Sequence, residues 1–135
     1  MKIKIAVVVA ATVLTNIWGL QEGTPLEKSI KNGKLIYEEL CISCHMGNGK
    51  GMGSMIPPLA QSDYLKKFPN ESIAAVKFGQ KGKIVVNGVE YNGMMPNPGL
   101  SNEEIADVMN YIQNSWGNVN KKMVTVKMVE GIKKP

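Results

Sequence analysis

Cys41-Ile42-Ser43-Cys44-His45 contains both cysteines and the only histidine of a 135-residue chain. With one histidine, placed directly after a cysteine, the chain cannot assemble a Ser-His-Asp triad, a multi-histidine metal site or a distant Cys-His nucleophile pair. Chemistry is therefore concentrated in these five positions. The length fits one domain. Its core is modest, because 8 residues are aromatic and 14 are glycine, so an apolar prosthetic group would add bulk that the side chains do not supply.

The pattern C-x-x-C-H is the sequence at which a haem is attached covalently. Two thiols separated by two residues at the end of a helix can add to the two vinyl groups of one porphyrin. The histidine that follows is then held beneath the iron as its proximal ligand. Three other readings compete. A C-x-x-C redox disulfide needs a thioredoxin-like βαβ setting, which a helix-rich, glycine-rich chain does not offer. A zinc site needs four ligands, and no second pair of Cys or His exists. A chance match is the third reading, and the amino terminus argues against it.

Lys2 and Lys4 precede an apolar run from Ile5 to Leu14, the pattern of a secretory signal. Extended to Leu20 the run is still shorter than the roughly 20 residues of a spanning helix. Residues 1–19 are expected to be a signal peptide cleaved near Gly19, with an uncleaved N-terminal anchor as the alternative. Export fits a haem attached outside the cytoplasm and implies a periplasmic location, with membrane association only if residues 1–20 are retained. Without residues 1–19 the formal charge falls from +5 to +3. The lysines are scattered and arginine is absent, so nucleic-acid binding is not expected.

Thr24-Pro25-Leu26-Glu27 reads as a capping box with proline at the first helical position, and Ile30, Gly33, Tyr37 and Leu40 recur at helical spacing up to about Cys41. Ser101-Asn102-Glu103-Glu104 announces a second helix. Ile105, Val108, Ile112 and Trp116 should line one face of it, and Gly117-Asn118 should end it. Between the two lies a glycine-rich stretch holding five of the seven prolines. It should contain a short helix over Asp63–Phe68, a helix capped by Asn70 that ends at Gly79, and a hairpin Ile84–Val86/Val89–Tyr91 turning at Asn87-Gly88. Thr125 should cap a small helix in the tail, docking through Val126 and Val129. Gly33 costs roughly 1 kcal/mol relative to alanine in a helix, which points to close packing against it.

The order of these parts, together with Y-N-G-M-M-P-N-P-G at Tyr91–Gly99 and L-S-N-E-E-I-A-D-V-M-N-Y-I-Q-N-S-W-G-N after it, resembles the class I monohaem c-type cytochromes. It also resembles the cytochrome modules fused to periplasmic enzymes such as copper nitrite reductases. The resemblance implies an all-α cytochrome c fold over residues 24–118, with helices packed around one covalently attached haem c, a small β-hairpin and glycine/proline-rich loops. Residues 119–135 would form a C-terminal extension packing on the domain. It also implies that the first and last helices cross near Gly33, with Tyr37 and Tyr111 or Ile112 filling the crossing.

The resemblance further implies two axial ligands, His45 and a methionine. Met46, Met52 and Met55 lie on or near the histidine side, Met109 is expected to pack within the last helix, and Met123 and Met128 are in the tail. Met94 and Met95 remain, and the family pattern G-x-M-P selects Met95. By the same resemblance, Cys41 and Cys44 hold the haem, the Pro57 carbonyl accepts the imidazole proton, and Leu59 packs on the ring. Tyr91 either lies near the haem edge or pairs across the hairpin.

An iron with His and Met ligands has no open position, which implies electron transfer in place of catalysis. The expected function is a periplasmic one-electron carrier, not an enzyme, meeting a redox donor and a redox acceptor transiently. Two propionates would lower the charge of +3 to about +1, leaving Lys50, Lys66, Lys67, Lys77, Lys81 and Lys83 as candidates for local steering. The alternative is a dedicated haem subunit of a periplasmic oxidoreductase, with the tail from Asn118 as its docking element. A ligand-binding haem protein or peroxidase would require Met95 not to bind, and a thiol-redox protein would carry no haem.

Overall fold

The computed structural model describes residues 23–135, so the signal or anchor expected at 1–19 lies outside the described residues. Helix α1 spans Pro25–Leu40 and opens on the expected capping box. The Thr24 amide donates to Glu27 Oε2 at 2.7 Å and the Glu27 amide donates to Thr24 Oγ1 at 3.2 Å. Cys41 closes it, and one further turn, α2 (Ile42–His45), carries the rest of the motif.

A loop leads to α3 (Asp63–Lys67), capped by Ser62, and then to α4 (Pro69–Phe78). The expected cap of α4 is corrected: Phe68 is the N-cap without a side-chain bond, and Asn70 lies inside the first turn. Pro69 is responsible, since its fixed φ and missing N–H suit the first helical position. The hairpin is longer than the sequence indicated. Strand β1 (Gln80–Val86) pairs antiparallel with β2 (Val89–Met95), in a register running from Gln80–Met95 to Val86–Val89. Asn87 and Gly88 at φ 51° and 80° make the left-handed two-residue turn. Asp63 and Asn87 exchange side-chain bonds to each other's amides, which fastens the turn to α3.

Helix α5 spans Asn102–Ile112 and starts on the Ser101/Glu104 capping box. Its end differs from expectation. The helix stops at Ile112, and Trp116, at φ 51°, sits in the following turn and not on a helical face. Asn114 Nδ2 donates to Asn110 O and Ser115 Oγ donates to Tyr111 O, so side chains take carbonyls that a continuing helix would use. Trp116 still packs against Tyr37 and Tyr111, with ring centroids 4.9 and 5.5 Å away.

Helices α1 and α5 cross at Gly33. A Cβ there would lie 2.0 Å from Asp107 O and 2.9 Å from Tyr111 Cβ, so only glycine permits this approach. Tyr37 fills the adjoining space with Tyr111, at a centroid distance of 5.4 Å, over a floor of Ile105, Val108, Met109 and Ile112. A buried polar network borders the crossing. Ser29 Oγ donates to Asp107 Oδ1 at 2.5 Å, and Asn110 Nδ2 donates to Ser29 Oγ at 2.9 Å. Asn110 also pairs with both backbone groups of Val124, at 2.9 and 2.8 Å.

That pairing leads into the tail helix α6 (Val126–Gly131), capped by Thr125 and anchored by the fully buried Val129. Lys77 donates to Val129 O and Ile132 O at 2.7 and 3.1 Å, closing the carbonyl end of α6 with a cation. The apolar side of the tail is thus used against its own chain. No helix among the described residues is long and apolar enough to cross a membrane.

Candidate functional site

A cleft of about 1170 Å3, its open mouth included, lies between the motif turn, the 55–59 loop, α4 and the hairpin. It gathers Cys41, Cys44, His45, Pro57, Leu59 and Met95, and Tyr91, Met94 and Met55 also border it. Among the described residues no Lys, Asp or Glu lines it.

His45 is half-buried, and its Nδ1 lies 3.3 Å from Pro57 O. A carbonyl can only accept, so Nδ1 carries the proton and Nε2 keeps the free lone pair. Burial pulls the imidazole below the ordinary histidine range, opposed by the Pro57 bond. The ring is therefore neutral at pH 7, the form that ligates a metal.

The chain between His45 and Leu59 requires glycine twice, once where it folds back on itself and once where Trp116 packs on it. A Cβ on Gly51 would meet Ile56 O at 2.2 Å, and one on Gly49 would meet the Trp116 ring at 2.5 Å. Gly49 O accepts from the amides of Leu59 and Ala60 at 2.7 and 2.8 Å. Side chains from outside hold the same loop: Tyr37 Oη donates to Met46 O at 2.7 Å, and Trp116 Nε1 to Gly47 O at 2.9 Å. Asn118 Nδ2 donates to Leu59 O at 2.7 Å.

Both cysteines are free thiols. Burial, and secondarily the neighbouring Cys44, push the Cys41 thiol up to about 11. A thiol-redox site needs a thiolate stabilised near neutrality, and the burial of Cys41 works in the other direction. Nor do three His, Cys, Asp or Glu side chains gather into a metal cluster among the described residues.

The hairpin decides how its methionines present. Side chains alternate along a strand, and Gln80, Gly82, Ile84 and Val86 of β1 border the cleft. Their partners in register are Met95, Gly93, Tyr91 and Val89. Met95 therefore shares the inward face with buried Tyr91, whereas Met94 pairs with Lys81 on the outward face and is 74 % exposed. Tyr91 pairs with Ile84 across the hairpin, as one of its two readings expected, and also borders the cleft. The methionine segment is the end of a strand and not a free loop. Gly82 and Gly93 lie opposite each other on the inward face, and a Cβ on Gly82 would meet nothing within 4 Å, which leaves a flat floor.

A haem fits this donor set: two adjacent thiols, a neutral imidazole, a thioether on the facing strand, and uncharged walls around a flat floor. The sequence reading missed three features. Met55, set aside as belonging to the histidine side, borders the mouth, with its carbonyl 3.3 Å from where a Gly93 Cβ would be. Trp116 and Asn118 clamp the loop through contacts that no periodicity announces; only the paired Trp-Gly-Asn after a helix hinted at a structured stop. The steering lysines are also fewer than expected. Lys77 is committed to the tail, Lys67 pairs with Asp63 at 2.9 Å and Lys83 with Glu90 at 3.0 Å.

A family model described as Cytochrome c matches residues 30–116. A cytochrome c-552 of Thermus thermophilus is 38 % identical over 95 residues, covering 67 % of this chain and 72 % of the relative. The cytochrome c subunit of the quinone alcohol dehydrogenase of Gluconobacter oxydans is 31 % identical over 100 residues, covering 64 % of this chain and 18 % of that subunit. The gluconate 2-dehydrogenase cytochrome c subunit of Pantoea cypripedii is 31 % identical over 109 residues, covering 77 % of this chain and 24 % of that subunit. The chain thus spans most of the first relative and a quarter or less of the dehydrogenase subunits.

Proposed function

This chain belongs to the cytochrome c family, and on that premise we propose which of its residues hold the haem and how it exchanges electrons. Like the family, it binds haem c covalently and transfers electrons. The haem supplies a one-electron ferric/ferrous couple. Cys41 and Cys44 form the thioether links. His45 would hold the iron through Nε2, and Met95, at the end of β2 on the same cleft, would be its second protein ligand. Pro57 O takes the Nδ1 proton, fixes the ring plane and raises the basicity of the imidazole. Leu59 and the apolar walls exclude water.

The finer architecture is helices packed around that haem within residues 24–118, with 119–135 as an extension. Residues 1–19 direct export to the periplasm, or anchor the chain if they are retained. The protein is a carrier and not an enzyme, since two protein ligands leave no position for a substrate. Its donor and acceptor are redox proteins met transiently. The observation that carries this reading is the convergence of both thiols, the imidazole and an inward methionine on one uncharged cleft.

A redox titration followed by absorption tests it. We expect haem that stays on the polypeptide in denaturing electrophoresis, reversible one-electron spectra, and no carbon monoxide uptake by the native ferrous protein. Ready uptake would replace the carrier by a ligand-binding haem protein. A second reading, a dedicated haem subunit of an oxidoreductase, is favoured by the dehydrogenase subunits among the relatives. Stoichiometric co-purification with a larger enzyme would select it, although the tail, packed on its own chain, is a poor docking element.

A further inference from the structure

Asn118 is 6 % exposed, and its amide nitrogen donates to Leu59 O at 2.7 Å and to Ile112 O at 2.8 Å. Both partners are carbonyls, so turning the amide over would lose both bonds. Its own Oδ1 is buried without a partner. A buried acceptor left unmade is costly, and an apolar residue of similar size would avoid that cost. The residue lies two positions beyond the segment matched by the family model.

We propose that Asn118 is a positioning residue for the His45 imidazole, acting through Leu59 and Pro57; this rests on the haem-bearing reading above. Leu59 is gripped at both of its backbone polar groups: its amide donates to Gly49 O at 2.7 Å, and its carbonyl accepts from Asn118. Pro57 is two residues earlier on this short segment. The Pro57 O to His45 Nδ1 distance of 3.3 Å is already at the long end for a hydrogen bond, so a small retreat of the segment would break it. The other end of the clamp, Ile112 O, belongs to the last turn of α5. Asn118 thus references the ring-orienting carbonyl to the helix that packs against α1, next to the motif.

The chemical consequence follows from the imidazole. An acceptor on Nδ1–H makes Nε2 a stronger donor to the iron and favours the more positive, ferric state. Releasing Pro57 O should raise the midpoint potential and leave the Nδ1 proton less protected. The test compares holoprotein variants N118D and N118L with V129A, which removes packing at the equally buried tail anchor but touches none of these bonds. N118D keeps the size of the side chain but presents only acceptors to two carbonyls. Midpoint potential is measured by titration, and solvent exchange of the His45 Nδ1–H by NMR of the ferrous protein.

We expect both Asn118 variants to shift the midpoint positive with severalfold faster exchange, and V129A to lower the melting temperature with neither change. If N118L does not fold, N118D and N118S, which keeps one donor, carry the comparison. Midpoint and exchange in the Asn118 variants equal to those of V129A would overturn the positioning role. Absence of covalent haem in the wild type would instead overturn the reading on which it rests.

Discussion

Met94 and Met95 are neighbours in sequence but lie on opposite faces of a strand, and that difference makes a direct test of the sixth ligand. Met95 shares the cleft-facing side with Tyr91 and Gly93, whereas Met94, which also borders the cleft, pairs with Lys81 and is 74 % exposed. We expect M95A to open the sixth position, so that the native ferrous protein takes up carbon monoxide, and M94A to leave the spectrum as it was. The reverse pattern would move the ligand to Met94 and imply that the strand register slips in the holoprotein. At this scale the sequence was readable where chemistry is local. Cys41, Cys44 and His45 declare themselves by spacing alone. Met55 and Asn118 did not, because their relevance depends on where a distant strand or loop comes to lie: Met55 O approaches Gly93, and Asn118 reaches Leu59 across 59 residues of chain.

Helix starts were equally legible, since a capping box is a contact between residues three apart, and both boxes formed as read at Thr24 and Ser101. Helix ends were less so. The stop of α5 at Ile112 comes from Asn114 and Ser115 bonding back to carbonyls, a competition that the apolar spacing of Trp116 disguised. The hairpin was underread because Gly82 and Gly93 interrupt its alternation, yet they are the positions that keep the cleft floor flat. The crossing of α1 and α5 is the element-scale feature that a single substitution should test. Valine at position 33 would drive its Cβ against Asp107 backbone at 2.0 Å, a clash that neither helix can relieve by rotating a side chain. Overpacking of this kind costs about 1–3 kcal/mol or more. G33V should therefore lower the holoprotein melting temperature by several degrees. A melting temperature within error of the wild type would mean that the helices do not approach here.

At the scale of the whole molecule, the lysines of the middle region stand outside the cleft lining. Among the described residues no charged side chain lines the cleft. Of the six lysines in the middle region considered for steering, Lys77 closes α6 while Lys67 and Lys83 sit in ion pairs. Exposed ion pairs of this sort are worth little to stability, but each has no net charge to add to the outward field. That leaves Lys50, Lys66 and Lys81, spread over the loop, α3 and β1, against propionates that would bring the holoprotein to about +1 from +3 were residues 1–19 removed. Exchange at an uncharged mouth should then respond weakly to salt, since only charges within about a Debye length, ~10 Å at 0.1 M, steer an encounter. Small redox reagents measure this without knowledge of the natural partner. Oxidation of the ferrous protein by an anionic and by a cationic metal complex, followed by stopped flow from low to high ionic strength, should give shallow slopes, opposite in sign and similar in size. K81E should alter both slopes by about one to two charges, because it reverses the cation nearest the strand end that carries Met95. A steep fall for the anionic reagent alone would show that the lysines act together as a docking field, and steering would then return as the basis of partner choice.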